Sequence, residues 1–419
     1  ALRERRAYGT RRGGMYLAVL GVAMIVTIIG LSGLAAARLQ GRASRHVIEA
    51  AEARLCAEAG VDLVAYVMQQ DSAWRTTKSS GQWWAGRAIG DGTVTVSVTD
   101  PLDGNLANRE YDPVLVRCTG VRGNAQHILE VTLEPMGTPL PLLSTAIHTR
   151  GQLHITAGAQ LRATGAPAST GGTLANEGTI VGSAECLIAS PQGTVTGTLT
   201  QGAAAKAVPA SNVAARYAAL GTVISPGGLM ESMVLSPGLN PYGAENADGV
   251  YVVTADSDLT IRNARIHGTL VVIAPGRTVR IRDSVFMHPA RADYPTLIVD
   301  GTLALEITAG TPLSEGSMGV NYNPAGAPYM DQVDAVNDDS YPAEIQGLVH
   351  CKGQATVTAS SLVRGMMIVE SSAVSNAVSV SGTCEVIHDP ALVTNPPMGY
   401  TSAVGMRIKP GSWQQSVAP

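Results

Sequence analysis

Residues Met15 to Ala37 form an apolar run of 23 positions without a charge. That is long enough to cross the hydrocarbon core of a bilayer as a helix. The pattern then changes but keeps the helical period. From Arg38 to Gln70, Val47, Ile48, Ala51, Leu55, Ala59, Leu63, Tyr66 and Val67 recur at three- and four-residue steps, with Arg42, Arg45, Glu49, Glu52, Glu58 and Asp62 between them. This is an amphipathic helix. One continuous helix over residues 15–70 would be roughly 84 Å long at the standard rise. Its first half is apolar all round, and its second half has one stripe to bury. Gly41 and Gly60 are its expected weak points.

Residues 71–136 read as a small antiparallel β head. Thr93 to Thr99 alternates with Val on one face, and Val114–Cys118 and His127–Leu133 are two further strands. Asp100-Pro101-Leu102-Asp103-Gly104 is a turn, and Gly120 to Asn124 links the later strands. Three strands do not stand alone easily, so the amphipathic half of the helix is their expected cover. Trp74, Trp83 and Trp84 follow the helix and are expected to pack rather than to bind a carbohydrate.

Residues 141–400 have a different texture. Gly-Thr-apolar recurs at Gly172, Gly178, Gly193, Gly197, Gly268 and Gly301. Short alternating runs surround these sites, among them Leu259–Ile261, Val279–Arg282, Leu297–Val299, Leu303–Ile307, Ala355–Val357 and Ala377–Val380. Ile261, Ile281 and Ile298 stand 20 and 17 residues apart. Many short strands, glycine turns and a loose coil-length repeat predict a right-handed parallel β-helix-like body, with a β-sandwich or barrel as the alternative. Two stretches interrupt the repeat, Ala203 to Tyr251 and Leu313 to Pro342. Residues 401–419 read as a tail. Composition agrees with a strand-rich body: 46 Gly, 23 Pro, only 4% aromatic residues and Phe286 as the single phenylalanine.

Residues 1–14 form a basic leader with five arginines and one glutamate, so +4 of charge. The whole chain is −4, which leaves −8 for the rest. The positive-inside rule places the leader in the cytoplasm and the body outside, as a single-pass inner-membrane protein. The acidic body gives no reason to expect nucleic acid. Five dispersed cysteines (Cys56, Cys118, Cys186, Cys351, Cys384) contain no CxxC pair, which disfavours a zinc site. In an exported body one or two disulfides are open, with no pairing indicated.

The leader ends Arg11-Arg12-Gly13-Gly14, and the apolar helix begins at once with Met15-Tyr16-Leu17-Ala18-Val19-Leu20. This junction resembles the type IV filament family, the pilins and the pseudopilins of type II secretion. The resemblance implies cutting by prepilin peptidase between Gly14 and Met15. It also implies assembly with other pilin-like subunits through the helix, with Gly21, Gly30 and Gly33 permitting close helix approach. The family usually carries glutamate at the fifth mature position, where this chain has Val19. In that respect the chain is similar to K-type tip pseudopilins and PilX-type minor pilins.

No metal or other cofactor is expected. In the second interrupting stretch Asp331, Asp334, Asp338 and Asp339 offer oxygen ligands for a hard cation such as calcium, but their spacing is not that of an EF-hand. The preferred reading is a solvated turn. Asp256, Asp258, Asp283, Asp300 and Glu306 form no paired-carboxylate motif, and no nucleophile elbow, HExxH or phosphate loop occurs. The expected function is therefore a non-enzymatic structural subunit of a type IV pilus or type II secretion filament that displays the β-helix body, in a rare or tip position. The alternative is a membrane-anchored adhesin or carbohydrate-active enzyme at the cell surface.

Overall fold

The computed structural model describes residues 12–71, 73–101, 104–107, 112–402 and 405–416. Most of the leader lies outside the described residues. The chain divides into two compact units: Ala1–Met136 with Gly405–Pro419, and Gly137–Val404. The second unit is thus inserted within the sequence of the first.

In the first unit, helix α1 (Arg12–Gln70) is unbroken through Gly41 and Gly60. Strands β1 (Gly81–Ile89), β2 (Gly92–Thr99), β3 (Val114–Arg122) and β4 (Ala125–Met136) follow as an antiparallel meander. Val94, Val96 and Val98 are fully buried, as are Val116, Cys118, Val131 and Leu133. They meet Ala57, Val61, Val64 and Met68 from α1. Each such valine contributes roughly 1.5–3 kcal/mol of burial free energy. Period two on the strands and period 3.6 on the helix therefore converge on one core.

The head has more strands than the three expected. Trp83 and Trp84 lie inside β1, and Trp74, Trp83 and Trp84 form two edge-to-face pairs, each 5.9 Å between centroids. The expected tail also differs. Gly405–Ile408 and Gln414–Ser416 are strands, and both pair antiparallel with β4. The twelve-residue β4 would otherwise expose a long row of unpaired backbone groups. Segments of four and three residues are too short for alternation to mark them as strands.

The second unit is built on a 19-stranded sheet whose strand pairs are parallel, which agrees with a β-helix-like body. Its strands stack in columns. One column runs through Met230, Ile261, Ile281, Leu305, Val357, Val380, Ile155 and Asn176, each in register with the next. All eight are fully buried. Apart from Asn176, small and medium apolar side chains fill this column, which accords with the scarcity of aromatic residues.

The coils do not stack in sequence order. Residues 222–388 wind through one series and 147–201 through another. The end of the later series pairs with the start of the earlier: Met367↔Ile147, Val378↔Leu153 and Cys384↔Leu161. The chain therefore enters and leaves the stack near its middle. Just outside it, Pro139 and Thr401 form an antiparallel bridge that holds the two connecting strands together.

The recurring glycines sit where coils touch. A Cβ at Gly193 would lie 2.0 Å from the Gly178 carbonyl oxygen, and one at Gly268 would lie 2.2 Å from that of Gly249. All five cysteines are buried free thiols, so the open disulfide expectation is not met. Burial holds Cys118, Cys351 and Cys384 protonated, each pushed up to about 12.

Candidate functional site

The membrane-length part of α1 is not buried against any other segment among the described residues. Met15, Tyr16 and Leu17 are 76%, 80% and 71% exposed, and Val19 is 62% exposed. Large apolar side chains stay exposed through Ile48. The first fully buried helix position is Ala53. Gly21, Gly30 and Gly33 have open space where a Cβ would be, and Gly14 lies at the start of the same helix. The helix thus carries two surfaces: one satisfied by the head, and one that water alone cannot satisfy.

On the body, a polar cleft of about 600 Å³ runs across the coil edge. Asp300, Lys352, Glu370 and Arg150 occupy it, each one residue past the matched quartet Val299, Cys351, Val369 and Thr149. Charges therefore alternate from coil to coil. Lys352 Nζ donates to Asp300 Oδ2 at 2.8 Å. Behind the cleft, buried His350 bonds Glu370 Oε1 through Nε2 at 2.9 Å and Tyr400 Oη through Nδ1 at 2.8 Å. Three more of these acids have partners: Glu306 pairs with Arg280, Asp283 with Arg282, and Asp258 Oδ1 accepts from the Thr278 N–H.

The loop from Leu313 to Pro342 is ordered around a buried cation. Arg265 is 0% exposed. Its Nη1 donates to the carbonyls of Tyr322 (2.6 Å) and Ala327 (2.7 Å), and its Nη2 donates to that of Pro328 (2.5 Å). The guanidinium also lies 5.3 Å and 5.7 Å from the ring centres of Tyr329 and Tyr341. Burial lowers its pKa to about 10, so it stays charged at neutral pH. Beside it, the imidazoles of His267 and His288 stack 4.2 Å apart.

Within this loop the predicted acids separate. Asp334 and Asp339 come together with Glu315, with ligand-capable oxygens within 4.8 Å of one another. Asp331 and Asp338 are not members of the group. Glu315 was not legible as a member because it stands far from the acid run in sequence and is fully buried. It accepts from the Tyr322 N–H (2.5 Å), the Tyr341 hydroxyl (3.0 Å) and the Asp339 N–H (3.1 Å).

No protein-family model matches the chain, and no curated protein matches it. Among solved structures, the crystal structure of the competence-associated pilin ComZ from Thermus thermophilus aligns over 88% of this chain and 98% of that one, at 11% identity and a TM-score of 0.29.

Proposed function

We propose that this chain is a structural subunit of a type IV filament, a pilus or a type II secretion filament. Its N-terminal helix anchors it in the membrane before assembly and then packs among equivalent helices. The observation that carries the reading is the division of α1. Residues 15–37 are apolar and almost all exposed, while the later part of the same helix, from Ala53, is built into the head core. Such a helix needs either lipid or other apolar helices around its first half, and a filament core offers the second. The basic leader ending at Gly14 is the proposed prepilin peptidase substrate, with Met15 as the mature N-terminus. Val19 in place of the usual glutamate favours a rare or tip position, since a terminal subunit has no neighbour above whose amine must be neutralised.

The test is the mature N-terminus. N-terminal sequencing and intact mass of the protein recovered from sheared filaments should find residue 15. An uncut leader, or a start near Arg38, overturns the reading and leaves a membrane-anchored or secreted surface protein.

A further inference from the structure

We propose that Arg38, Arg42 and Arg45 form a clamp for phospholipid phosphates at the bilayer surface nearer the head. The inference rests on the reading of residues 15–37 as a membrane anchor, and it names the lipid chemistry this anchor meets where it leaves the bilayer. The three arginines follow the apolar run directly, and no acid occurs between Ala37 and Glu49. They stand at i, i+4 and i+7 of α1, so at about 100° per residue they share a stripe roughly 60° wide. All three are exposed.

Their height fits the headgroup layer. At the helical rise their Cα atoms lie roughly 1.5, 7.5 and 12 Å beyond Ala37. The headgroup layer on each side of a bilayer is about 5–7 Å deep. Side chains on a helix lean toward its N-terminus, which here is the direction of the bilayer. The long stems of Arg42 and Arg45 therefore carry their guanidiniums back toward the phosphates.

The second observation is that these cations have no counter-charge. Among the described residues none of the three forms an ion pair. The acids that follow on the helix are matched by other groups: Glu49 lies 3.8 Å from His46, Glu52 2.6 Å from Arg122 and Glu58 2.7 Å from Arg54. Arg45 borders a hollow with Glu49 and Glu52 but is not paired to either. The first fully buried position of the helix is Ala53, so the head core does not cover the stripe.

A guanidinium is a planar fork that grips a phosphate through two N–H groups at once. Cations just past the far end of a span also oppose the orienting effect of the basic leader, a cost that phosphate contacts offset. An anionic lipid such as phosphatidylglycerol is preferred over a zwitterionic one, because its phosphate has no cation of its own beside it. The clamp fixes how deep α1 sits, and so sets the height of the head above the membrane.

The test uses the full chain with the five leader arginines changed to glutamine, so that only the stripe is read. The protein is reconstituted in nanodiscs of equal phosphatidylglycerol and phosphatidylcholine, released into mild detergent, and its retained lipids are counted by native mass spectrometry. Each basic side chain near an anionic surface strengthens binding about fivefold. Phosphatidylglycerol should therefore be retained at least tenfold over phosphatidylcholine. The Arg38→Gln/Arg42→Gln/Arg45→Gln variant should lose that preference, while Arg54→Gln should keep it. These side chains are exposed, so circular dichroism should show the variants folded. Excess inorganic phosphate should leave the preference intact, because the lipid is also held by its acyl chains. Equal retention of the two lipids by the protein with the stripe intact overturns the clamp, as does an unchanged preference in the triple variant. Loss of the preference to inorganic phosphate also overturns it and leaves a site for free anions. A protein that stays soluble without detergent overturns the membrane anchor itself, which separates that failure from failure of the stripe.

Discussion

Gly120 on β3 lies directly against Ala53 on α1. A Cβ at 120 would sit 2.0 Å from the Ala53 carbonyl oxygen and 2.7 Å from the Ala57 nitrogen, both rigid backbone. Gly60 makes the reciprocal approach, with Val94 Cγ2 2.8 Å from where its Cβ would be. Gly120→Ala should therefore lift the helix from the sheet, at a cost of about 1–3 kcal/mol or more. Gly41→Ala, which has open space around it, should stabilise the helix by up to about 1 kcal/mol. Denaturant unfolding followed by tryptophan fluorescence checks both, since three of the four tryptophans pack in the head.

Arg265 makes a second prediction. Its guanidinium satisfies three loop carbonyls in a buried setting, and Met of similar length would leave them unpaired. Arg265→Met should cost about 3–5 kcal/mol, the range for breaking a buried charged contact. The loss should be local first: limited proteolysis should cut within residues 313–342 while the parallel coils stay protected.

Three histidines, buried His148 and half-buried His267 and His288, set an acid sensitivity. Burial, with Lys206 adding to it, lowers His148 to about 4. Burial, with Arg265 adding to it, lowers His267 to about 4, and burial, with His267 and Arg265 adding to it, lowers His288 to about 3. An unfolded histidine titrates near 6.5. Below that pH the unfolded chain takes up protons that the folded chain refuses, so stability falls as the pH drops from about 6.5 toward about 4. The melting temperature of the body should be flat above pH 7 and decline over that window. His288→Gln should flatten part of the decline.

The stacking order makes a fourth prediction. Residues 147–164 find their partners in 361–388, more than 200 residues later. A chain truncated after Pro342 would keep every strand of the earlier series but leave its 147–164 edge unpaired. Such an edge templates association. In detergent micelles that cover α1, the truncated protein should elute as large aggregates in size-exclusion chromatography, where the full chain does not.

If the subunit sits at a filament tip because it lacks the assembly carboxylate, Val19→Glu should raise its share of sheared filament mass several-fold. Quantitative immunoblotting against the major subunit measures that share. An unchanged share would remove the tip argument and leave the filament reading intact.

Much of the fold is legible in the order of residues along the chain. The 23-residue uncharged run, the amphipathic continuation to Gln70 and the alternating valines of β2 depend on local periods, and local periods are written in neighbouring residues. Gly-Thr-apolar marks the coil corners for the same reason: a close backbone approach leaves no room for a side chain at that position. Other features are hidden because they are long-range. The strand at Gly405–Ile408 is defined by its partner Met136, not by its own four residues.

The sequence by itself determined that this chain has a membrane-length apolar helix, a helix-covered head and a body of short strands with small side chains. Hydrophobic periodicity is enough for that, because burial acts on each element's face. Only the tertiary structure decided that the last strands return to the head, that the coils stack out of sequence order, and that Glu315 joins Asp334 and Asp339 while Asp331 and Asp338 do not. Those outcomes depend on which distant segments share a backbone edge or enclose a common space, and one-dimensional patterning carries no record of such meetings.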